Sequence, residues 1–209
     1  MPEKNLQLER LVFFCDAIVA IAITLLVLDI KIDSTPSGHL TFHDLFGQWK
    51  HLLTFFLSFF NIANFWKVHH SFFSYIKKID ERLLWINIMW LLFIAILPFT
   101  TSLVSEFLHD EAAIFAYSSN ILLIATFQNL IWDYTEKQPG FRKEEELDPE
   151  LSKRFTVYCN LDMINSAIGV AVSFFFPVLA FVILFTKFPT IIFARFYYLK
   201  EHKKIRRDG

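Results

Sequence analysis

With 209 residues, 55% of them apolar, 26 phenylalanines and five glycines, the chain has the length of one or two soluble domains but not their composition. Twenty basic and 21 acidic residues leave a net charge of −1, which implies no nucleic-acid partner. The charges gather in short clusters between long apolar runs, as in a polytopic membrane protein.

About 20 apolar residues cross the hydrocarbon as a helix, and six segments meet that length. The first covers about 11–31, inside "RLVFFCDAIVAIAITLLVLDIKI". No small-residue cleavage site follows it, so it reads as a span and not as a cleaved leader. Each helical residue advances about 100°, which puts Ile21, Leu25 and Leu28 within about 60° of one another, with Ala17 and Thr24 on the flanks. Asp16 points about 140° away from that stripe. An aliphatic face gains nothing by association in lipid, so from spacing alone the stripe reads as lipid contact or helix packing. The following loop, "DSTPSGHLTFHD", reads as turn chemistry ahead of a metal or proton sensor built on its two histidines.

The second segment, about 48–75, carries Asn61, Asn64, His69 and His70; the third, about 83–106, carries Asn87 and an internal Pro98. Thr101 and Ser102 stand where they can satisfy carbonyls freed by a proline kink. The fourth, about 112–133, holds Asn120, Gln128 and Asn129. The loop "EKQPGFRKEEELDPELSKR" mixes both signs of charge and reads as a solvated connector. The fifth, about 155–176, adds Asn160, Asp162 and Asn165, and the sixth, about 177–199, begins at Pro177 after a tight turn at "SFFFPV". That division leaves Lys187 inside the sixth helix without an assigned partner. Interhelical hydrogen bonding is the ordinary role for the amides, and haem ligation by the histidine pair fails because no other helix offers an opposed histidine.

Lys77, Lys78 and Arg82, then Lys137, Arg142, Lys143, Lys153 and Arg154, and finally the tail "KEHKKIRRDG" fall on one side, which puts both termini in the cytoplasm and fits six spans. Cys15 and Cys159 lack metal-ligand spacing and read as free, buried thiols. No H-E-x-x-H, G-x-S-x-G, Gly-rich phosphate loop or potassium-channel "TVGYG" filter occurs. The residues alone therefore indicate an all-α, six-helix membrane domain over 1–209, with no enzyme chemistry, cofactor or metal.

"RLVFFCD" resembles the Arg-x-x-x-Phe-Ser-Asp signature that opens the first helix of the transmembrane protein 175 family of potassium channels. Arg10, Phe14 and Asp16 match, and Cys15 replaces the serine. "FWKVHHSFF" and "LLWINIMWLLFIAILPFTTSLV" resemble the second and third helices of bacterial members. The resemblance implies a single-repeat, passive, potassium-selective channel of the bacterial inner membrane, a homotetramer in lipid with helix one around a central pore. It further implies that Ile21 forms the main constriction, with Leu25 and Leu28 continuing the line and Thr24 offering hydroxyls beside it. Asp16 would then anchor helix one within its own subunit, with Arg10, His69, His70 and Asn87 as expected partners. A proton-coupled or small-solute carrier working through the histidines and Asp162 is the alternative, and a membrane scaffold without flux is a third reading.

Overall fold

The computed structural model describes residues 2–30 and 39–186 and is helical throughout apart from one isolated bridge. Helix α1 spans Pro2–Leu25 and runs into a 3-10 turn at Leu26–Asp29; a short α2, Phe42–Gly47, precedes α3, Trp49–Tyr75. Then follow α4 (Glu81–Glu106), α5 (Glu111–Lys137), α6 (Pro149–Ser173) and α7 (Pro177–Thr186). Lys187 and the basic tail lie outside the described residues.

Helix α1 begins well before residue 11, because hydropathy marks where a helix meets hydrocarbon and not where its backbone bonds start. Helix α2 occupies part of the loop read as turns. Thr41 and Asp44 form a reciprocal capping box there, each side chain satisfying the other's backbone N–H. Asp80 caps α4 by accepting from the Leu83 amide at 2.8 Å. Asp148 caps α6, where Pro149 occupies the first turn at no hydrogen-bonding cost.

Among the described residues four helices are long and apolar enough to cross a membrane: the segment Leu6–Leu28, α4, α5 and α6. Helix α3, at 27 residues, has the length, about 40 Å. Asn61, Asn64, Lys67, His69 and His70 lower its apolarity.

Helices α4, α5 and α6 pack side by side most extensively, and α1 rests on α4 and α3. Trp90, Trp132, Tyr117, Phe65 and Phe72 are the largest fully buried side chains. By ring centroid Phe72 lies 4.6 Å from Trp132 and 5.2 Å from Phe155, and Trp132 lies 5.0 Å from Phe155. Polar contacts add direction to this packing, as expected where burial in lipid gives none. Asn61 Nδ2 donates to the Tyr117 hydroxyl at 3.0 Å, and Ser58 Oγ lies 3.1 Å from the same oxygen. Asn120 donates to the Phe93 carbonyl, Asn129 to Asn160, and Asn165 to the Ile183 carbonyl.

Pro98 lies within a continuous α4. Thr101 Oγ1 donates to the Leu97 carbonyl at 2.8 Å and also hydrogen-bonds Ser58 Oγ at 2.7 Å. It therefore ties α4 to α3 and does not serve the carbonyl four residues before the proline.

The α5–α6 loop is more than a solvated connector. Ile76 and Arg142 form an antiparallel bridge, with the Lys143 amide donating to the Tyr75 carbonyl and the Lys77 amide to the Phe141 carbonyl, both at 2.9 Å. Arg142 is buried, 4.8 Å from the Trp132 ring centre and 3.0 Å from a Glu136 carboxylate oxygen.

Candidate functional site

Helix α1 has two faces. Leu11, Cys15, Val19, Ala22 and Leu26 are buried, and their spacing of four, four, three and four residues traces one stripe against α3 and α4. The opposite face is uncovered in the subunit. Ile21 is 58% exposed and Leu28 65%, with Leu25, Thr24 and Ala17 exposed between them. The Thr24 hydroxyl donates to the Ile21 carbonyl at 2.8 Å. Its proton is thus engaged within the helix, and what it presents outward is oxygen lone pairs.

The buried stripe is locked by a polar chain through Cys15. Asn87 Nδ2 donates to Cys15 Sγ at 3.1 Å, so the amide oxygen of the same residue faces His69 Nε2 at 2.7 Å. The imidazole consequently carries its proton on Nε2. His69 is stacked between Phe73 and Trp90, at 4.4 and 4.2 Å by centroid. Trp90 Nε1 in turn donates to Gln128 Oε1 at 3.3 Å. One continuous set of contacts therefore runs from α1 through α4 and α3 to α5.

Asp16 does not share that chain. Its carboxylate accepts from Trp66 Nε1 at 2.8 Å, and the Trp66 ring lies 5.5 Å from that of the exposed His70. The expected set of partners is corrected accordingly: Asn87 bonds both His69 and Cys15, while His70 meets Trp66. Arg10 and Phe14 are exposed, and Arg10 forms no ion pair among the described residues. Trp66 went unremarked in the sequence although it stands three and four residues before His69 and His70. The available signal was an indole N–H at membrane depth, a donor that demands an acceptor.

Ser58, Asn61, Thr101 and Tyr117 form a second polar cluster, which joins α3, α4 and α5. Among the described residues no group of three or more histidine, cysteine or carboxylate side chains is arranged to hold a metal ion.

A family model described as "Endosomal/lysosomal potassium channel TMEM175" matches residues 10–98. A potassium channel of Streptomyces collinus is 34% identical over 131 residues, 60% of this chain and 64% of its own length. One of Chamaesiphon minutus is 33% identical over 138 residues, 64% of this chain and 68% of its own. The "Endosomal/lysosomal proton channel TMEM175" of Gallus gallus is 35% identical over 141 residues, 28% of its length. The crystal structure of a lysosomal potassium-selective channel TMEM175 homolog from Chamaesiphon minutus superposes with a TM-score of 0.73 at 26% identity, covering 93% of this chain and 97% of the other.

Proposed function

The chain belongs to the TMEM175 family, and we propose that it is a passive potassium-selective channel in which four copies of α1 surround one central pore. The protein is integral to the membrane. In this reading α3 and the segment of about 177–199, of which α7 is the described part, complete six spans, both termini face the cytoplasm, and the membrane is the bacterial inner membrane. Each subunit presents Ile21, Leu25 and Leu28 to the axis, so that rings of aliphatic side chains form a narrow throat. Such a throat conducts when hydrated and closes by dewetting, with no carbonyl filter involved. Thr24 places an oxygen beside the constriction, where a partly dehydrated cation gains a ligand.

The observation that carries this reading is the division of α1. One face is locked to α4 and α3 through Cys15, Asn87 and His69, and the opposite face leaves Ile21 and Leu28 uncovered. Asp16, held by Trp66 to one side, supports the pore helix and stands off the ion path. Replacing Ile21 by Asn tests the constriction. In proteoliposomes it should raise potassium flux and narrow the difference between potassium and sodium. Flux and selectivity equal to the parent would place the constriction elsewhere.

The name of the chicken relative favours a second reading, in which protons also use the pore. Proton flux through the same throat should rise with Ile21→Asn alongside potassium flux. A proton-coupled carrier would instead need a pH gradient to move its solute. Of the residues such a carrier would use, His69 is enclosed between two aromatic rings, Asp162 is buried and His70 is exposed.

A further inference from the structure

Helix α2 is six residues long, and none of them is buried. Phe42 is 81% exposed, Phe46 75% and Leu45 41%. At about 100° per residue these three fall within one arc of about 100°, while His43, Asp44 and Gly47 occupy the other side. The capping box fixes the helix in that conformation. The Thr41 hydroxyl and amide, bonded to the Asp44 carboxylate, also hold that carboxyl below its usual range, so the polar side keeps its charge.

A single residue, Gln48, separates α2 from α3 and serves as the C-cap of one and the N-cap of the other. Helix α3 begins with Trp49, which together with Leu52, Leu53, Phe56 and Phe60 forms an exposed stripe confined to one side of that helix. The apolar side of α2 is therefore followed, one residue on, by an exposed apolar stripe of α3, which enters the bilayer in the six-span reading proposed above and on which this inference rests; an exposed tryptophan marks the junction, where indole rings favour the headgroup level.

We propose that α2 is an interfacial anchor. It lies in the leaflet on the side of the α1–α3 connection, with Phe42, Leu45 and Phe46 in the boundary between headgroups and acyl chains and Asp44 in water. Its partner is phospholipid, and its effect is to fix the height of α3 in the membrane.

A nitroxide attached to Phe46→Cys, and separately to His43→Cys, in the full chain reconstituted into phosphatidylcholine liposomes tests this directly. Cys15 and Cys159 are buried, and the parent protein reports any labelling of them. The expected result is a label at position 46 that relaxes with oxygen more than with nickel ethylenediaminediacetate, at a depth of about 5–10 Å, and a label at 43 with the reverse preference. Phe42→Cys reads the same arc should Phe46→Cys fold poorly. Preference for the nickel complex at positions 42 and 46 would put the helix in water. Shielding from both reagents, with dipolar broadening between labels, would put it against a neighbouring copy of the chain. Either result overturns the proposal.

Discussion

Asp16 and Trp66 join α1 to α3 by a side-chain hydrogen bond of 2.8 Å, in which the indole N–H donates to the carboxylate. A hydrogen bond to a charged group contributes about 1.5–3 kcal/mol, so Trp66→Phe should destabilise the purified assembly by about that much in thermal unfolding. Asp16→Asn retains an oxygen acceptor for the same N–H and should cost less. An Asp16→Asn protein that melts below Trp66→Phe would contradict this assignment. Asn87 is used in both directions, so Asn87→Leu strands the His69 N–H in an apolar setting at about 1–3 kcal/mol. Cys15→Ser should stay close to the parent, because a hydroxyl accepts the same N–H. The direction of Asp16 away from Ile21 was legible from 100° steps along the helix. Its partner was not, because the partner depends on the register between α1 and α3, and no single-helix pattern contains that register.

Between elements, Gly169 lets α7 approach α6. A Cβ there would stand 3.0 Å from Leu184 Cδ2 and 3.4 Å from its Cγ. Gly169→Ala asks Leu184 to shift slightly, whereas Gly169→Val adds two more methyl groups and should cost about 1–3 kcal/mol by overpacking. A Gly169→Val protein with the parent's melting behaviour would show that α7 is free to move aside.

The α2 cap has a defined pH response. Asp44 has a lowered carboxyl pKa in the folded chain, so its contribution is present above the ordinary value of 3.8 and is lost as pH falls through the lowered one. A label at position 46 should gain mobility only on acidification below that range. Unchanged mobility would mean that the cap does not hold the helix. This short helix escaped the hydropathy pattern because six residues carry less than two turns of period, although Thr41-x-x-Asp44 has the spacing of a capping box.

Over the whole molecule, the helical, membrane-embedded class was legible because apolar runs of span length separated by charge clusters have few other solutions. Family membership was legible in "RLVFFCD", "FWKVHHSFF" and the third-helix segment, all within or beside the matched residues 10–98. Two features were not. The α5–α6 loop reads as polar, yet Arg142 is buried by stacking on Trp132 and pairing with Glu136 of α5, while its backbone bridges Ile76 just after α3, a long-range pairing that no local pattern contains. The polar cluster of Ser58, Thr101 and Tyr117 likewise draws on α3, α4 and α5, and hydroxyls scattered along three helices carry no local sign of meeting. Both support the same arrangement, a packed body of α3 to α6 that holds one face of α1 and leaves the other outward.

Potassium flux through the purified chain in liposomes under a potassium gradient, with equal pH on both sides, tests the central claim most directly. The account predicts passive flux that runs down the gradient without a proton gradient and rises with Ile21→Asn. Flux that appears only when a pH gradient is imposed, or no flux from correctly folded protein, would contradict it.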